Sequence, residues 1–82
     1  MVTHEREFLS HLDGLRSADR YVRFLRDVAE TTGRHVTPQT LRSEADVDAF
    51  AAGLAGSYSD KSVRNYRSVL RHYVAMVEAR GL

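Results

Sequence analysis

At 82 residues, 43% of them hydrophobic and 28% charged, the chain is long enough for one modest core and too short for two domains. It has no cysteine, which excludes a disulfide framework and a thiolate metal site, and no apolar run approaches the roughly 18 residues that a membrane span needs. The formal net charge of +1 is far below that of a general polyanion binder, so any electrostatic role must come from where the charges sit.

In chain order, Phe8, Leu9 and Leu12 form a first apolar cluster at helical spacing. Thr3 is the expected cap of this helix, Glu5 and Glu7 suit its first turns, and Asp13-Gly14 ends it. Ser17 then opens a second helix, in which Tyr21, Phe24, Leu25 and Val28 recur at i, i+3, i+4 and i+7. Its polar face carries Arg20, Arg23 and Arg26, with Asp19–Arg23, Arg23–Asp27 and Arg26–Glu30 spaced as i,i+4 ion pairs. Arg20 and Arg23, near the helix start, are the better candidates for phosphate contacts. Thr32-Gly33 is its stop signal.

Thr37-Pro38 predicts a short helical turn in the connector that follows. Ser43, with Asp46 three residues on, resembles a capping box with a shorter acid, and Val47, Phe50, Ala51 and Leu54 form a third stripe. Gly53 and Gly56 either shorten this helix or allow a close approach to a neighbour. The fourth helix runs from a Ser59 cap, through Asp60 in its first turn, to Gly81. At about 100° per residue, Val63, Tyr66, Leu70, Tyr73, Val74 and Val77 share one arc, while Lys61, Arg64, Arg67, Ser68 and Arg71 share the opposite one. No acidic residue lies between Asp60 and Glu78 in sequence to offset those cations. No segment alternates with the period of a strand, so the expected fold is an all-α bundle of four main helices, with short connections and antiparallel neighbours.

Chemistry is harder to find. The four histidines lack the spacing of helical metal ligands, and His4 and His11 stand about 10 Å apart along one helix. No nucleophile elbow and no phosphate-cradling glycine loop is present. Ser17, Ser43 and Ser59 read as helix caps, and Glu44, Asp46 and Asp48 sit where a helix dipole favours them. Tyr21, Tyr66 and Tyr73 read as core residues with hydroxyls at the rim, and Tyr58 as a loop residue free to stack or to meet a phosphate. The expectation is a non-enzymatic, cytoplasmic protein without metal or cofactor. Its basic helix, where Ser59, Lys61, Ser62, Arg64, Asn65, Ser68 and Arg71 combine cations with short polar side chains, suits phosphates and base edges. An acidic protein partner, or no partner at all, is the competing interpretation of the same face.

The segments RSADRYVRFLRDVAETTG, ADVDAFAAGL and YSDKSVRNYRSVLRHYVAMVEARGL together resemble the N-terminal core-binding, SAM-like domain of tyrosine recombinases and phage integrases, over nearly the whole chain from Phe8 onward. The resemblance implies a four-helix bundle that clasps one face of double-stranded DNA opposite a catalytic domain, or beside other protomers on the DNA. By that similarity Ser59, Lys61, Ser62, Arg64, Asn65 and Arg71 of the last helix would touch DNA, joined by Arg20 and Arg23 of the second. Arg67 and Ser68 complete the expected face. The catalytic half of such recombinases has no counterpart in these 82 residues, which implies an excised domain or a stand-alone relative that does not cleave DNA. A helical interaction or oligomerisation module of a larger mobile-element or restriction protein is the alternative.

Overall fold

Each of the four apolar stripes becomes a helix. In the computed structural model, which describes residues 1–82, these are α1 (Glu5–His11), α2 (Ala18–Thr32), α3 (Glu44–Leu54) and α4 (Asp60–Arg80). No strand forms; a single parallel bridge joins Val2 to Val36. The Thr37–Leu41 connector closes a turn through hydrogen bonds from the Thr40 and Leu41 N–H groups to the Thr37 carbonyl.

The stop signals act through backbone conformation. Gly33 and Gly81 adopt left-handed φ values of 68° and 64° at the ends of α2 and α4, a region that glycine enters without steric cost. At the starts, Ser43 Oγ accepts from Asp46 N–H and Ser59 Oγ from Ser62 N–H. The Asp46 carboxylate accepts from Arg42 N–H, one residue outside the box that the sequence suggests.

Two expected caps do not form. Thr3 is occupied elsewhere: its Oγ1 donates to the Val36 carbonyl at 3.5 Å and its N–H to the same oxygen at 3.0 Å, which ties the extended N-terminus to the connector. The cap position of α1 is His4, held at φ 60°, with its Nδ1 3.0 Å from the Glu7 carboxylate. Ser17 precedes α2 with φ −94° and ψ 10° and makes no capping bond. That near-helical backbone departs from the extended geometry that would aim Oγ at the free N–H groups.

The core is continuous through all four helices. Its centre is Tyr73, fully buried, with its ring 5.8 Å from Phe8 and its hydroxyl donating to the Thr3 carbonyl at 3.0 Å. Around it lie Leu25, Val36, Leu41, Val47, Phe50, Leu54, Leu70 and Met76, all without solvent exposure. α4 packs against each of the other three helices, which rotates its buried arc from the expected position. Val69 and Met76 are buried, whereas Val63 and Val74 stay at the margin. At Gly53 a side chain would begin 3.0 Å from Thr32 Cγ2, so this glycine serves the close approach of α3 to the end of α2; Gly56 faces open space.

Candidate nucleic-acid interface

α4 is flanked by α2 on one side and α3 on the other, so its polar surface divides into two shoulders with Arg64 on the ridge between them. α2 runs antiparallel to it: Tyr21 lies 5.5 Å from His72, Phe24 lies 5.1 Å from Tyr66, and Thr31 Oγ1 meets the Tyr58 hydroxyl at 3.3 Å. At about 100° per residue, Lys61, Asn65, Ser68 and His72 fall on the α2 side, whereas Val63, Arg67, Arg71 and Val74 fall on the α3 side.

On the α2 side a solvent-open cleft of about 260 Å³ lies between the helices. Tyr21, Phe24 and Val69 supply its apolar wall, and Ser17, Arg20, Asn65 and Ser68 its polar wall. Tyr21 and Phe24 present near-parallel rings, with an interplanar angle of 16°. Arg20, Arg23, Lys61 and Arg64 are exposed and none forms an ion pair. Lys61 stands one turn before Asn65, Arg64 one turn before Ser68, and Arg23 one turn after Arg20. The i,i+4 pairs expected on α2 are replaced: Arg26 reaches across to α1 and grips both Glu5 oxygens at 2.9 and 2.7 Å, holding that carboxyl below its ordinary range. Neither Asp19 nor Asp27 forms an ion pair with Arg23. Arg16, exposed beside Ser17 and likewise without an ion pair, extends the cationic edge.

The α3 side is different, and it corrects the expectation of an uncompensated strip. Arg71 grips Glu44 through Nε at 3.1 Å and a terminal nitrogen at 2.7 Å; Arg67 meets Asp48 at 2.5 Å. The Arg71 guanidinium holds the Glu44 carboxyl below its usual range. Within α4 itself the sequence places no carboxylate close to either arginine. The signal was present all the same. Glu44 and Asp48 are spaced i,i+4 on α3, Arg67 and Arg71 i,i+4 on α4, and antiparallel packing across a short connection brings 44 to 71 and 48 to 67.

No family model, curated protein or solved structure matches this chain. What the face can do rests on its own geometry. Of the ten residues expected to meet DNA, Arg20, Asn65 and Ser68 converge on the cleft. Arg23, Lys61 and Arg64 stand exposed around it, and Ser59 and Ser62 are tied together at the α4 start, Oγ to Oγ at 3.2 Å. Arg67 and Arg71 are diverted to α3. Tyr58 is not free either: its ring packs 4.9 Å from Tyr66, and its hydroxyl is engaged by Thr31. Ser17 and the Tyr21–Phe24 wall were missed as site residues, since the sequence assigns one to a cap and the others to the core.

Proposed function

We propose that this chain is a DNA-binding module that meets duplex DNA through the α2–α4 face, as the core-binding domain of a site-specific tyrosine recombinase or integrase does. The observation that carries the reading is the group of four cations free of carboxylates, Arg20, Arg23, Lys61 and Arg64, beside a cleft lined by Asn65, Ser68 and Ser17. Guanidinium and ammonium groups neutralise phosphates, while short hydroxyl and amide side chains fix register on the backbone or reach base edges. A small all-helical bundle of four helices is the fold class that such a domain requires. In this role the domain binds without cleaving, and the strand-transfer chemistry belongs to a separate catalytic domain or to partner protomers. No helix is long and apolar enough to cross a membrane.

The carboxylate-paired α3 shoulder favours a second reading, a helical protein-interaction module, because alternating acids and bases suit a protein face better than a phosphate backbone. An amide chemical-shift titration with a generic duplex separates the two. The DNA reading requires salt-sensitive shifts clustered at Arg20–Phe24 and Lys61–Ser68. No shift at low salt, or shifts confined to α3, would remove it in favour of the second.

A further inference from the structure

Resting on that DNA reading, we infer that α3 masks half of the α4 cationic strip: Glu44 and Asp48 act as built-in competitors that keep Arg71 and Arg67 from phosphates. The geometry is specific. Glu44 engages Arg71 through two guanidinium nitrogens, and Asp48 engages Arg67, so two parallel contacts cross one helix–helix groove. Both arginines stand on the shoulder beside Arg64, about one and two turns further along the same helix. The four side chains remain solvent-accessible, with exposures of 53% and 58% for Arg71 and Glu44 and 32% and 59% for Arg67 and Asp48. They are a surface latch, not a core element, and exposed pairs of this kind add little to folding and weaken with salt.

Neither of two other roles covers both carboxylates. Helix-dipole stabilisation accounts for Glu44 in the first turn of α3, but not for Asp48 a turn later. A metal site fails because no third ligand is near. Masking accounts for both carboxylates and for both arginines. The partner surface so defined is a second phosphate-contacting shoulder that opens when Glu44 and Asp48 are neutralised or drawn away by another cationic group.

The test compares duplex binding by fluorescence anisotropy across a salt series for the parent, E44Q/D48N and D13N/E30Q. The last variant removes two carboxylates that hold no cation, and so matches the net charge. E44Q/D48N should bind roughly tenfold tighter at low salt than the matched variant, with a log-affinity against log-salt slope steeper by up to about 1.8 for two added phosphate contacts. Adding R67A/R71A should cost the parent little and should erase the gain in E44Q/D48N, a non-additivity that net charge alone cannot produce. If E44Q/D48N binds no tighter than D13N/E30Q while the parent binds, masking is overturned and the DNA reading stands. If none of the proteins binds the duplex, both are overturned. Should the double variant lose helicity by circular dichroism, E44Q alone, which leaves the Ser43 cap in place, answers the same question with half the slope change.

Discussion

The two shoulders of α4 carry similar side chains and meet different fates. On the α2 side, arginines and a lysine border an open cleft with no acid in contact; on the α3 side, two arginines of the same helix are each engaged by a carboxylate. The difference lies not in α4, whose cations recur every three or four residues from Lys61 to Arg71, but in what the neighbouring helix presents. α2 offers Tyr21, Phe24, Ser17 and Arg20, while α3 offers Glu44 and Asp48 at the spacing of one helical turn. A basic helix in a small bundle is therefore only as basic as its neighbours allow.

The comparison can be broken at several depths. The largest effect should come from the core both shoulders share: Tyr73→Ala removes a fully buried ring, and denaturant titration should record a loss of about 3–5 kcal/mol, a large share of the stability of a domain of this size. Next is the binding contrast itself. R20A/R64A should weaken duplex affinity on the order of tenfold or more at low salt and reduce the salt slope by up to about 1.8, whereas R67A/R71A should change affinity about twofold at most. Equal losses from the two pairs would erase the distinction between the shoulders. Ser43→Ala should cost about 1 kcal/mol by thermal melting, since Oγ caps the Asp46 N–H at the start of α3, while leaving the free cations in place.

The smallest effects are in pH, and they separate the shoulders by sign. Glu44 has its pKa lowered from 4.5 by the Arg71 hydrogen bonds, so its contribution to stability is full above that value and is lost as pH falls through the lowered one. Glu44→Gln should flatten this acid limb. Tyr66, beneath the α2 shoulder, has its pKa raised from 10.0 by burial first and then by its Tyr58 and Asp27 neighbours. The folded state thus holds that proton more tightly, and stability should fall as pH rises above 10, an alkaline limb that Tyr66→Phe reduces and that buried Tyr73, whose hydroxyl is likewise pushed up by burial, keeps in part. Chemical denaturation at a series of pH values reads both limbs.

Much of this was legible without coordinates, for reasons particular residues make plain. The apolar stripes, the Gly33 and Gly81 stops, and the Ser43 and Ser59 caps depend on interactions within a few residues of one another, so local spacing predicts them. Thr3, and Val69, which the expected apolar arc leaves out, depend on remote partners, whereas Ser17 fails as a cap through its own backbone. Val36 takes the Thr3 N–H, near-helical backbone turns Ser17 from its cap, and the double flank of α2 and α3 draws Val69 inside.

By itself, then, the sequence determined four amphipathic helices, their ends, and a surplus of cations along the last one, because periodicity and capping are short-range properties of the chain. Which of those cations stay free of a carboxylate was decided only by tertiary structure. Antiparallel docking of α3 on α4 brought carboxylates from 19 and 27 residues away onto Arg67 and Arg71, and left Lys61 and Arg64 with none. Pairing across a helix interface depends on crossing geometry and register, which a one-dimensional charge pattern does not contain.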